Sequence, residues 1–473
     1  MSFFKKEKRL TGEELLFSRK ALVALTLPLL LQQVLEVMVG TVDSAMVAQI
    51  GEAAVSGVSL INTLDTVLVI FFTAMVGGGS VVISQALGRK EKNAICESAK
   101  QLLYLTFFIS MILTVTVLLF RRFLLRLLFG AVEADVLKEA LGYFFFVALS
   151  FPFLAINSSI SACFRTSGNS MLPLIVSIVT NLLNICGNAC CIYGFGMGAA
   201  GAGLATLIAR VVTTVILLAL IVQRKYPVHI DRLLRYKPNK KVIGQITGIG
   251  IPNGVENVMF QFGRLLTQSL IATMGTSVIA ANSVALTISN YQYMTGTACS
   301  TVMITVVGRC IGAGKDEQAK YYSRRILAMN YGLLWTVILS SFIFLNPLVG
   351  MYNLSPATED LAKDLIVRHL ILAAMIWPLG FMLPSAFRAA GDVKFSMVIS
   401  IASMWIFRIV SAYFFALDSV SVFGLFTLPG LGMGIMGVWS AMFVDWGFRC
   451  TIFLIRWLKG QWLQRKCAHA TDS

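Results

Sequence analysis

Apolar stretches of bilayer-spanning length follow one another along almost the whole chain, separated by short polar links. A helix needs about 20 predominantly apolar residues to cross a membrane. About twelve segments qualify: 21–49, 57–86, 99–120, 137–162, 170–194, 199–223, 246–274, 279–311, 326–350, 365–387, 395–416 and 432–458. In lipid such a chain pairs its backbone within its own helices, so the expectation is an all-α integral membrane protein. The totals agree, with 57% hydrophobic and 13% charged residues among 473. The mean hydropathy is +0.78, outside the range of soluble domains. A net charge of +16 would suggest nucleic acid in a soluble protein. Here Lys and Arg sit mostly in the links, where they set membrane orientation, and no nucleic-acid partner is expected.

Alternate links are basic: Lys5 to Arg9, Gly88-Arg89-Lys90, Arg165, Arg224-Lys225, Lys237 to Lys241, Lys320 with Arg324-Arg325, Arg388 with Lys394, and Lys459 with Arg465-Lys466. The links between them carry fewer positive charges, so both termini are expected in the cytoplasm of a cell-membrane protein. Arg121, Arg122 and Arg126 dissent, preceding an outer link; they are expected to snorkel at the interface or to lie on a short surface helix. No cleavable signal peptide is expected, because Met1 to Lys20 is charged and the first apolar run is too long. The nine cysteines lie mostly in apolar runs without a Cys-x-x-Cys pair, and read as free packed thiols.

The two halves repeat. Pro28 precedes Pro252, Gly51 precedes Gly275 and Gly88 precedes Gly312, each by 224 positions (252 − 28, 275 − 51, 312 − 88). Phe164-Arg165-Thr166-Ser167-Gly168-Asn169 answers Phe387-Arg388-Ala389-Ala390-Gly391-Asp392, and Gly196 to Gly201 answers Gly432 to Gly437. Six helices followed by six more of like orientation predict two pseudo-symmetric six-helix lobes about an axis along the membrane normal. The expected divisions are a cytoplasmic tail 1–20, a first lobe 21–223, a basic inter-lobe strap 224–245, a second lobe 246–458 and a cytoplasmic tail 459–473.

Inside these apolar runs, ionisable residues are costly and mark function by default. Glu36 and Asp43 stand seven apart in the first segment, with Gln32, Gly40 and Gln33 nearby. At about 100° per residue Gln32, Glu36, Gly40 and Asp43 form one polar stripe. Asp65 and Asn62 follow in the second segment, Asn184 and Asn188 one turn apart in the fifth, Thr206 and Arg210 one turn apart in the sixth. A coupling-cation site is expected from Asp43, Glu36, Asn184, Asn188, Thr206 and Asp65, with Asp43 taking a proton and trading it for substrate. A substrate cavity is expected from Gln33, Asn62, Glu256, Asn257, Gln261, Arg264, Asn282, Tyr291 and Tyr293, with Glu256 and Arg264 facing it together. Asp445 and Arg449, one turn apart, read as a neutralising pair. Counting Arg408 with these groups, the first half holds three acids and one Arg, the second two acids and three Arg, so the cation is expected in the first half.

The Gly-x-Gly-x-x-Gly runs at 196–201 and 432–437 follow spanning helices rather than strands, and read as tight turns opening the sixth and twelfth helices. Gly77-Gly78-Gly79-Ser80 lacks the Lys of a phosphate loop. No ATP-binding element is present, so uphill transport must draw on an ion gradient. His229, His369 and His469 have no metal spacing, and no enzyme, cofactor or metal is expected.

With these residues in view, the chain resembles the multidrug and toxic compound extrusion (MATE) family of bacterial antiporters over residues 15–460. The resemblance is carried by Pro28 with Val42-Asp43, Gly88, Phe164-Arg165 with Gly168-Asn169, and Ile192-Tyr193-Gly194. It continues in Gly196 to Gly201 with Ala205-Thr206, Pro252, Ala280-Ala281-Asn282, and Arg388 with Gly391-Asp392. It implies a V-shaped bundle exchanging drug for proton or sodium by alternating access, Asp43 as coupling acid, and Asn184 and Thr206 as helpers. Two departures weigh against sodium: Asn188 stands where the family often has an acid, and Phe260 stands eight after Pro252, where some members carry one. The expected function is export of amphipathic, mostly cationic small molecules in exchange for H+ or Na+, by a monomer surrounded by lipid. The alternatives are a flippase or exporter of lipid-linked or anionic substrates, favoured by Arg210, Arg264 and Arg408, and a non-transporting membrane sensor or assembly subunit.

Overall fold

The computed structural model describes residues 15–130, 133–231, 233, 235–422 and 426–463. Lys5 to Arg9, Arg465-Lys466 and His469 lie outside them. Twelve long helical segments follow in order: α1 (Arg19–Ala48), α2 (Glu52–Arg89), α3 (Lys92–Phe129), α4 (Ala134–Ser167), α5 (Met171–Gly194) and α6 (Gly198–Ile221) form the first half. In the second half come α7 (Lys240–Ala272), α8 (Thr276–Gly312), α9 (Asp316–Ile343), α10 (Pro356–Ala389), α11 (Val393–Ala416) and α12 (Gly434–Leu458). Eleven are long and apolar enough to cross a membrane; α7, at 33 residues, is long enough but less apolar. Its Asn253, Glu256, Asn257, Gln261, Arg264 and Gln268 are the reason, and such a helix is tolerated only where its polar face meets protein or water. A small antiparallel hairpin of β1 (Ser419–Val422) and β2 (Phe426–Pro429) joins α11 to α12.

The repeated motifs end and begin helices. Gly168 and Gly391 adopt left-handed φ of 98° and 81°. The next residue's N–H then returns to the carbonyl of Phe164 or Phe387, closing α4 and α10 alike. Gly196 and Gly198, φ 62° each, and Gly432 and Gly434, φ 60° and 55°, make the turns before α6 and α12, as the spacing predicts. Three stretches widen into π-helix: Ala189–Gly194 in α5, Pro378–Met382 in α10 and Ser403–Val410 in α11. The fifth helix of each half is thus widened, α5 just after Asn188 and α11 around Arg408, a distortion frequent at functional sites.

The halves meet by reciprocal close approach. A Cβ on Gly88 would fall against the Arg309 carbonyl, and one on Gly312 against the Gln85 carbonyl. Since 309 − 85 and 312 − 88 are both 224, each contact is the image of the other, as a two-fold axis requires. Ser84 and Gly308, also 224 apart, touch as well, a Cβ on Gly308 lying 2.8 Å from that of Ser84. In lipid, small residues of this kind drive association by letting backbones close. Further ties cluster at the same end. Gln85 donates to the Ala389 carbonyl at 2.9 Å, Arg309 to the Thr166 carbonyl, and the Phe17 N–H to the Tyr322 hydroxyl at 2.8 Å. Phe17, Leu22, Leu25 and Leu29 are buried in one core with residues of α8, α9, α10 and α12. Toward the other end α1 exposes Met38 and Val42, and α7 exposes Phe262 and Leu265. The ties between the halves thus gather at the end of the basic links, and the cavity lies further along the bundle.

The strap after α6 is fastened to α3: Gln101 donates to the Lys237 carbonyl at 2.6 Å and Tyr104 stacks on Tyr236 at 4.2 Å. The dissenting arginines do not lie on a separate surface helix. α3 runs unbroken for 38 residues, roughly 57 Å at 1.5 Å per residue, well past a bilayer core. Arg121, Arg122 and Arg126 sit on its far end, where with Lys138 and Phe145 they line a basic depression.

Candidate functional site

Asp43 lies near the end of α1, on the side turned to α5. Asn184 and Asn188, four apart and both buried, present their amides to the same side, as i,i+4 residues do. Asn188 Nδ2 donates to Asp43 Oδ1 at 2.8 Å. The hydrogen-bonding pattern turns Asn184 so that its Nδ2 donates to both Asp43 oxygens, at 2.9 and 3.1 Å, while its Oδ1 faces the Thr206 hydroxyl at 3.0 Å. The carboxylate thus receives three N–H contacts from one helix, with α6 behind. A small-residue contact sets this spacing: a Cβ on Gly187 would come within 2.9 Å of the Ala205 methyl. The structure brings Asp43, Asn184, Asn188 and Thr206 into one network.

Glu36 is elsewhere. It accepts from Gln32 at 3.0 Å and feels the charge of Arg165 at the end of α4, not of Asp43. The helical wheel places both acids at one azimuth, but seven residues separate them by roughly 10 Å along the axis, so the expected stripe splits into two sites. Asp65 is apart as well, beside the charge of Arg210, whose Nη1 donates to Ser150 Oγ at 2.6 Å. Tyr143 stands between these groups; its hydroxyl donates to Asn62 Oδ1 at 3.2 Å and feels the charges of both Asp65 and Asp43. Nothing in the pattern around Tyr143 marked it, and Arg165 stood out only as a basic link and part of a repeated motif, not as a partner of Glu36.

The second half has a different interior. A cavity of about 410 Å³ opens between the halves, walled by Thr63, Thr66 and Val67 of α2 and otherwise by the second half. Gln261, Arg264 and Asn282 line it as expected residues, joined by Arg408, Trp439 and Met442. Gln33, Asn62, Glu256, Asn257, Tyr291 and Tyr293 are not on its wall. Tyr293 instead stacks on Trp377 at 5.2 Å and meets His369 Nε2 at 3.3 Å, while Tyr291 is exposed. Glu256 and Arg264 do not face the cavity together. Glu256 is buried and accepts from Arg388 Nη2 at 3.1 Å, joining α7 to α10; the two turns between it and Arg264 carry it down to that partner. Asp445 pairs with Arg449 at 2.8 Å and lies 3.9 Å from Arg408.

Two six-helix halves with a cavity between them and buried ionisable side chains are the layout of a membrane transporter. The MatE family model matches residues 28–190 and again 252–414, a displacement of 224 in agreement with the internal repeat. The chain belongs to the MatE family of multidrug transporters. It is 28% identical over 463 residues to a probable multidrug resistance protein NorM of Thermotoga maritima, covering 96% of each chain. It is 26% identical over 453 residues to the uncharacterized transporter YisQ of Bacillus subtilis, covering 95% of this chain and 96% of that one. Among solved structures the fold resembles an outward-facing MATE transporter of the MOP superfamily, with TM-score 0.83, 19% identity, and coverage of 94% and 96%. It equally resembles a MOP superfamily transporter from Pyrococcus furiosus described as having a binding pocket of reverse polarity, with TM-score 0.82, 19% identity, and coverage of 96% and 98%.

Proposed function

We propose that the chain is a proton-coupled antiporter of the cell membrane, exporting amphipathic small molecules, mostly organic cations, with Asp43 as the coupling group. The observation that carries this reading is the ring of amide N–H groups around Asp43. Sodium is bound by oxygen ligands, as hard cations are, whereas here two amides point nitrogen at the carboxylate. Such a ring holds a bare carboxylate when the proton leaves. When the proton returns, the Asn184 amide turns over: its oxygen accepts from the carboxyl O–H, and its nitrogen donates to Thr206 Oγ1, 3.0 Å away. One proton is thereby converted into a rearranged contact among α1, α5 and α6. Pro28, which removes one backbone bond inside α1, gives that helix a point at which to bend.

In this reading the contact around Gly88 and Gly312 is the cytoplasmic seal of an outward-open state, both termini lie in the cytoplasm, and the working unit is the monomer. Alternating access requires that seal to part while the opposite end closes. Proteoliposome export of ethidium, with pH and sodium gradients collapsed separately, tests the assignment. Export that follows the pH gradient supports it, and export that follows sodium alone overturns it.

A further inference from the structure

The cavity between the halves has two guanidinium groups on its wall, Arg264 and Arg408, and no carboxylate. Arg264 is exposed to it and has no ion pair or hydrogen bond to protein among the described residues. It is close enough to Arg408 for the two like charges to oppose one another. Behind the wall, Asp445 is the acid that Arg408 and Arg449 pair with among the described residues. It is shared by Arg449 at 2.8 Å, Arg408 at 3.9 Å and the Ser403 hydroxyl. Three arginines against one aspartate leave two positive charges. Phe260 contributes none; its ring takes Arg408 and Arg449 on its faces, each at 5.4 Å. The remaining wall pairs apolar surface (Leu265, Leu286, Val438, Met442) with amides, Gln261 among them. The volume is that of a small-molecule site, commonly about 300–1,000 Å³.

A doubly positive cavity with an apolar lining and an unpaired guanidinium is complementary to an oxyanion on an amphipathic body. We propose that Arg264 and Arg408 form an oxyanion subsite for the carboxylate of an amphipathic cargo bound in the cavity between the halves. Arg408 lies in the π-helical stretch Ser403–Val410, with its guanidinium against Phe260 of α7. The subsite rests on the export reading and deepens it: the cargo carries a carboxylate that Arg264 and Arg408 recognise.

Rhodamine B, a zwitterion, and its ethyl ester, a cation of nearly the same shape, separate the carboxylate from everything else. Equilibrium binding to the purified protein in lipid nanodiscs without any gradient should favour the acid over the ester by roughly tenfold or more, the scale of a charge-assisted contact. Arg264→Gln should erase that preference by weakening the acid alone, and Arg264→Lys should retain most of it, which distinguishes charge recognition from a loss of folding. Equal binding of acid and ester to the wild type, or equal losses of both in Arg264→Gln, overturns the subsite. Binding as predicted without export from proteoliposomes would leave the subsite standing and overturn the export reading instead.

Discussion

The two halves of this transporter share a skeleton and differ in their polar interiors. Pro28 and Pro252 stand in their first helices, Gly88 and Gly312 meet at the axis, and Gly168 and Gly391 end their fourth helices in one geometry. Inside, the first half surrounds an aspartate with amides, whereas the second gathers arginines around one aspartate. Duplication fixed the backbone contacts, where any added atom collides, and left the cavity walls free to change sign. The arginines Arg264 and Arg408 face the cavity between the halves, whereas Asp43 lies off its wall among the amides of α5.

Breaking the shared skeleton has the largest expected effect. Gly88→Leu and Gly312→Leu should act alike, because each side chain enters the backbone of the other helix. Overpacking costs about 1–3 kcal/mol, and the contact belongs to one conformation. Thiol labelling of Ser84→Cys in a cysteine-free background should therefore rise with either change. A rise for only one of them would end the two-fold argument.

Glu256→Gln sharpens the contrast between structural and transporting charges. It leaves Arg388 unpaired at a mostly buried site, where the loss is about 2–3 kcal/mol after allowing for partial exposure. The melting temperature should fall, and the double change with Arg388→Met should recover part of it. A stable Glu256→Gln protein with abolished transport would move Glu256 into the transport machinery. Asn188→Asp tests the proton assignment: a second carboxylate beside Asp43 supplies the oxygen ligands now missing, and export should acquire a sodium dependence. If export by the variant ignores sodium, the donor-ring argument loses its force. The smallest effect is expected from Gly187→Ala, whose methyl meets Ala205 at 2.9 Å and pushes Thr206 from Asn184. Export should slow by a few-fold, with binding of the rhodamine B pair unchanged.

Much of this was legible in the sequence, and the parts that were not share a cause. Hydropathy and the 224-residue displacement set out the helices and their duplication, because lipid allows so few backbone solutions. Asp43, Asn184, Asn188 and Thr206 could be collected as costly polar groups in apolar runs. Depth was harder than azimuth. Glu36 shares a face with Asp43 yet serves Arg165, and Glu256 shares a face with Arg264 yet serves Arg388. Helical periodicity says which way a side chain points, not which partner waits at its level. Arg408 lies in a π-helical stretch and Tyr143 meets Asn62 of α2 across the packing of α4, and neither leaves a periodic signal.

The account rests on Asp43 moving the proton. Its most direct test loads proteoliposomes with a pH-sensitive dye and adds ethidium in the absence of sodium, comparing wild type with Asp43→Asn inserted in equal amounts. The account predicts substrate-driven proton flux in the wild type and flux at the level of empty liposomes in Asp43→Asn. Equal flux from both proteins would contradict it.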